Sequence, residues 1–417
     1  MTTTQAPSPL LESIGLPRFD AIRPEHVEPA VRSLLEALGA TVARLQDDPA
    51  APTWDNFVQP MEDDGERLGR AWGIAAHMHS VMDTPEWREA YNLMLPEVTR
   101  FYAELGQNLK LFEKYKSIRN SAAFAGLSPA RQRIIENELR GFRLSGAELP
   151  DDQKPRFQAI QEELASLGAK FSENVLDATN AFAHVVTDQA ELAGLPESAR
   201  AAAKQAATSR ELEGWLFTLD IPSYLPVMMY SENRALREEL YTAFATRASD
   251  QGPNAGKWDN SPLMDEIVAL RHELAQLLGF ATYADYSLAT KMAERPQQVL
   301  GFLNDLAERS RPQAQRELAE LRQFAAEQFG VTELAAWDLA YYAEKLKQHK
   351  FSVSDEQLRP YFPAGRVVKG LFEVVKRVFG IKVRERLGID TWHPDVRFYD
   401  IFDAEDELRG SFYLDLY

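Results

Sequence analysis

The sequence has 417 residues, enough for two or three domains, and its 45% hydrophobic and 26% charged content is ordinary for a globular protein. Its 46 Lys+Arg against 63 Asp+Glu leave a net charge of −17, which excludes the basic footprint that nucleic acid or an anionic membrane surface requires. No cysteine is present, so disulfides, thiolate metal sites and cysteine nucleophiles are excluded as well.

Residues up to about Asp20 read as an extended arm punctuated by Pro7, Pro9 and Pro17, without the basic start and apolar run of a secretory signal. No stretch is apolar for long enough to span a bilayer, and the cytoplasm is the expected compartment. Pro24 predicts a helix start, with Val27, Val31, Leu34, Leu35 and Leu38 on one face. A further helical segment is expected from Thr53, with breaks at Thr84-Pro85, Gly106 and Leu127-Ser128-Pro129. Residues 1–145 are therefore expected to form an N-terminal helical domain. The turn-like Ser145–Pro150 precedes a long helix whose Phe157, Ile160, Leu164, Leu167 and Phe171 step by three and four.

Phe182–Thr187 and Glu213–Ile221 read as strands, and Ser231 as the cap of a helix carrying Leu236, Leu240 and Phe244. Helices then alternate with short loops to Gly380. The last stretch has two apolar runs, Val396–Phe402 and Ser411–Tyr417, around the acidic segment Asp403–Gly410. In the second run Phe412, Leu414 and Leu416 alternate with Tyr413, Asp415 and Tyr417, the period of a half-buried strand. The expectation is a mostly α chain with a small β component and a C-terminal hairpin. Residues 146–417 read as the front part of a second lobe that continues beyond the strand.

The metallopeptidase test fails on these residues. Zinc ligation from a helix needs two histidines four apart with a glutamate beside the first. The one His-Glu pair, His272-Glu273, has Gln276 where the second histidine belongs. Ile267, Leu270, Leu274 and Leu277 form the core stripe of that helix and place His272, Gln276 and Asp265 on the opposite, solvated face. His77 and His79 point about 200° apart on a helix and cannot chelate together, so packing at a core edge is expected. His26, His184, His349 and His393 have no partner at metal-ligand spacing, and no metal ligand or catalytic residue is nominated in this chain. Gly252–Trp258 lacks the glycine spacing and the Ser/Thr of a phosphate loop. The aromatic residues from Trp337 to Tyr417, including Phe351, Phe362 and Phe398, divide between core packing, expected for Phe and Trp, and the wall of a peptide-binding channel. The polar face Tyr413, Asp415 and Tyr417 is the candidate for channel contact.

GSFYLDLY at Gly410–Tyr417, WDLAYYAEK at Trp337–Lys345, LRPYFP at Leu358–Pro363 and RASDQGPNAGKWDN at Arg247–Asn260 together resemble the thimet oligopeptidase family of zinc metallopeptidases. FDAIRPEHVEPA at Phe19–Ala30 and LDIPSYLP at Leu219–Pro226 extend the resemblance over nearly the whole chain. It implies a multi-helical, two-lobed oligopeptidase architecture, present here incompletely, with short peptides as substrates in a deep channel and one zinc ion as cofactor. In that family the His-Glu-x-x-His motif follows the FYLDLY strand, so the resemblance implies a missing C-terminal half and a 417-residue chain that is inactive alone. The competing expectation is a non-catalytic helical protein that binds peptides or a partner.

Overall fold

The computed structural model describes residues 8–416, and helices dominate it. The proline-punctuated start, expected as an extended arm, is folded from Ser8 onward. Pro9–Leu11 is a 3-10 turn, and Leu10, Phe19 and Ile22 are buried, because apolar side chains between prolines can cover the helices beneath them. Pro24–His26 forms a second 3-10 turn that runs into α1 (Val27–Asp47). There Val27, Val31, Leu34 and Leu38 are buried as their spacing predicts. Thr53 and Asn56 close a reciprocal cap, and a π-helical turn at Trp54–Val58 leads into α2 (Gln59–Met82). Thr84 caps α3 (Pro85–Gly106), Asn108 caps α4 (Leu109–Asn120) and Ser128 caps α5 (Pro129–Leu144), so the breaks fall where Thr-Pro and Ser-Pro place them. The long helix after the turn is α6 (Lys154–Asn180); Phe157 and Ile160 are buried, and Leu164, Leu167 and Phe171 only partly.

Next come β1 (His184–Val186), α7 (Glu197–Ser209) and β2 (Trp215–Phe217), the two strands pairing antiparallel with His184 opposite Phe217. Gly214 at φ +102° takes a backbone that L-residues avoid, and a Cβ there would meet the Val186 carbonyl oxygen at 2.3 Å. The strand expected to run to Ile221 stops earlier, because Ile221 and Pro222 open α8 (Ile221–Tyr230). The cap of α9 (Arg234–Ala245) is Asn233, whose side chain accepts the Leu236 N–H, and not Ser231. Then follow α10 (Ser261–Leu277), α11 (Tyr283–Leu288), α12 (Pro296–Phe329), α13 (Ala336–Phe351), α14 (Asp355–Leu358) and α15 (Ala364–Phe379).

The chain closes with β3 (Lys382–Glu385), β4 (Arg397–Phe402) and β5 (Leu408–Leu414), an antiparallel sheet in that order. The hairpin is present with Tyr399 opposite Phe412. Its second strand resumes at Leu408 because Asp403 ties the turn: its carboxylate accepts the N–H groups of Glu405 and Glu407 and the Arg409 guanidinium. The register shifts beside Ile401, leaving Arg409 as the extra residue of a bulge.

Contacts divide the chain into two compact units, Met1–Ser166 with Leu270–Thr282 and Val368–Tyr417, and Leu167–Ala269 with Tyr283–Val367. The first is built on the buried faces of α1 to α5, against which Trp392 and Tyr413 also pack. The second has a core around Phe182, Val186, Leu219, Val227, Leu236 and Leu240, and a smaller cluster of Leu321, Ala325, Tyr341 and Tyr342.

Candidate functional site

The His272–Gln276 face of α10 is the first place to test for a metal. Leu270 and Leu274 are buried, Ile267 and Leu277 partly so, and His272, Gln276 and Asp265 are exposed, the division the spacing predicts. Glu273 is engaged: its two carboxylate oxygens each accept a 2.6 Å hydrogen bond from the Arg156 guanidinium. That pair holds the Glu273 carboxyl below its ordinary value. The Gln276 amide donates to the carbonyls of Phe280 and Ala281, closing the end of the helix. A glutamate clamped by arginine and an amide turned to the backbone do not fit zinc, and no metal chemistry is derived from them. Among the described residues no group of three or more His, Asp or Glu is placed to hold a metal ion.

The other histidines have packing or capping roles. His79 stacks on Tyr91 at 4.4 Å between ring centroids, and Tyr91 stacks on Trp72 at 4.7 Å. His77 lies edge-on to Trp392 at 4.2 Å and against Phe19 at 5.7 Å. Burial lowers its pKa, against the opposing charge of Asp415. His26 accepts the Arg23 N–H, and His393 accepts that of Asp395. His184 Nδ1 lies 2.7 Å from Glu239 Oε1, and His349 packs on Phe324.

The candidate channel face divides along β5. The Tyr413 ring meets Phe398, Trp392 and Phe19 at 4.7, 5.2 and 5.4 Å, and its buried hydroxyl has no hydrogen-bond partner among the described residues. Asp415 is exposed and accepts the Trp392 indole N–H at 2.9 Å. Tyr417 lies outside the described residues. On the other side of the strand, Phe412 stacks on Tyr399, and Phe372 of α15 meets Tyr399 edge-on. Phe398 is buried as expected of core, whereas Phe351 and Phe362 are 68% and 65% exposed. Their helices end beside them, at the αL Ser352 and at the turn Arg359–Tyr361, leaving no neighbouring turn to cover the rings.

Pattern reading missed an ion network in the second unit. Asp338, fully buried at the start of α13, accepts hydrogen bonds from Arg234 at 2.6 Å and Arg237 at 2.8 Å, both on α9. Burial raises the Asp338 carboxyl, but the two guanidinium bonds outweigh it and hold the pKa below the ordinary aspartate value. Arg237, 2% exposed, also donates to the carbonyls of Ser231 and Trp337 and lies over the Tyr341 ring. The signal was the Asp inside WDLAYYAEK, but a partner about a hundred residues away has no local signature.

Two family descriptions match. Residues 31–154 match the neurolysin/thimet oligopeptidase N-terminal domain, and residues 227–417 match peptidase family M3. The chain is 56% identical over 410 residues, 98% of its length, to oligopeptidase A of Salmonella typhimurium. Over these two regions the chain is similar to peptidase family M3 and its N-terminal domain. Other similar M3 relatives are the probable cytosolic oligopeptidase A of Arabidopsis thaliana, 40% identical over 99% of the chain, and the dipeptidyl carboxypeptidase of Escherichia coli, 30% identical over 96%. The matched regions account for 60%, 60% and 59% of these three relatives respectively, so the chain spans about 60% of their length. The mostly α architecture agrees with that similarity.

Proposed function

We propose that the chain is the front part of a zinc-dependent oligopeptidase of the cytoplasm that hydrolyses short peptides. The observation that carries this reading is the 56% identity over 98% of the chain to an oligopeptidase A. The zinc ligands belong to sequence outside these 417 residues, because the one His-Glu pair is held by Arg156 and Gln276 faces the backbone. We therefore assign no metal ligand here and derive no catalytic step, and the 417 residues alone turn over no peptide. Within them, Tyr413, Asp415 and Tyr417 are the proposed channel positions. Asp415 would offer a carboxylate to a peptide amine or amide, whereas the Tyr413 hydroxyl is buried in this fold and would reach a peptide only if the ring turned outward. The test is to isolate the protein from its source cells through an N-terminal tag, record its intact mass and assay a short peptide with and without a chelator. Chelator-sensitive cleavage by a species heavier than 47.1 kDa is expected. A 47.1 kDa species that binds the peptide without cleaving it would favour the second reading, a non-catalytic peptide-binding protein, which the lack of a His-Glu-x-x-His motif in the 417 residues supports.

A further inference from the structure

Every residue of α12 from Gln297 to Glu317 is exposed. Five of them are large and apolar: Val299, Leu300, Phe302, Leu303 and Leu306, at 37 to 63% exposure. At 100° per residue Val299, Leu303 and Leu306 fall on one face, with Phe302 at its margin. Leu321 and Phe324, further along the same helix, fall on that face too, and there it is buried against α13. Between them the same face carries Ser310, Gln313 and Glu317, so the apolar surface falls in two parts, bare at Val299–Leu306 and covered at Leu321–Phe324. Most helical stability in proteins comes from packing an apolar face, and a stripe of this kind is how a helix packs. Beside the bare part the Asp305 carboxylate accepts hydrogen bonds from the Arg309 guanidinium, which pairs one charge at the rim.

We propose that the Val299–Leu306 face of α12 docks a helix from the roughly two-fifths of a family M3 protein that this chain does not span. The relatives' length supplies an occupant of the right kind, because the chain covers 60% of oligopeptidase A. A second copy of this chain does not suffice: five side chains fall far short of the roughly 20–30 residues a side that a stable interface takes. A second bare stripe points the same way. Leu371, Val374 and Val378 of α15 lie in helical register and are 55 to 66% exposed, although Phe372 on the adjoining face packs on the sheet. The inference rests on the peptidase reading for the partner's identity.

The test places a photo-cross-linking residue at position 303, and at 308 on the far side of the helix as a control, in the protein expressed in its source cells. The expected result is a cross-link from position 303 to polypeptide carrying His-Glu-x-x-His, at about tenfold the yield from 308, the ratio that about 1.4 kcal/mol of preference gives. Cross-links to a second copy of residues 1–417 or to sequence without that motif, equal yields from both positions, or no cross-link at either would overturn it. A Leu303→Glu/Leu306→Glu variant keeps the far-ultraviolet helicity of the isolated 417-residue chain, because both sites are exposed, and lowers the cross-link from position 299 about tenfold. Lost helicity or an unchanged cross-link would contradict the proposal. Failure here leaves chelator-sensitive turnover as a separate test of the peptidase reading.

Discussion

Asp338 is where one substitution does most damage. Its removal leaves Arg237, 2% exposed, as an uncompensated buried charge. Asp338→Ala is expected to cost about 3–5 kcal/mol in urea unfolding, typical of breaking a buried pair from one side. The pH dependence follows from the lowered carboxyl. A carboxylate with a folded pKa below its unfolded one contributes stability above the unfolded value, near 4, and loses it as pH falls through the folded pKa. The gap between wild type and Asp338→Ala therefore narrows below about pH 4, and a constant gap down to pH 2 would refute the network. Tyr413 has the opposite expectation. Its buried hydroxyl lacks a partner among the described residues, so Tyr413→Phe raises stability by about 1 kcal/mol, and a loss of that size would show a bond from the hydroxyl.

At the scale of elements, patterning predicted the helices well and their partners poorly. The Thr-Pro and Ser-Pro starts of α3 and α5, the stripe of α1 and the final hairpin were legible because caps and periodicity act within a few residues. The Arg234–Asp338–Arg237 network and the edge strand β3 were not, because each depends on residues distant in the chain. At the candidate site Gln276 in place of a second histidine could be read directly from the sequence, but the Arg156 clamp on Glu273 could not, because its partner is distant in the chain. His77 shows how element packing acquires pH sensitivity. Burial depresses its pKa, Asp415 opposes that, and the ring sits between Phe19 and Trp392. A histidine depressed in the fold contributes stability above its unfolded pKa of about 6.5 and loses it as pH falls through the folded value. The melting temperature of wild type is expected to fall from pH 7 to 5 more steeply than that of His77→Gln. Parallel curves would remove His77 from the acid response.

For the whole molecule, family resemblance and chemistry separate. The N-terminal and M3 matches fall in order along the chain, and about two-fifths of the oligopeptidase A relative's length lies outside the region it shares with the chain. Among the described residues no group of three or more His, Asp or Glu is placed to hold the metal of the proposed chemistry, and the bare faces of α12 and α15 are the surfaces proposed to be covered in a longer protein. The measurement that tests this most directly is zinc content and peptide turnover on the purified 417-residue chain, dialysed against zinc and assayed with and without chelator. No stoichiometric zinc and no chelator-sensitive cleavage are expected. One bound zinc per chain with cleavage abolished by the chelator would contradict it.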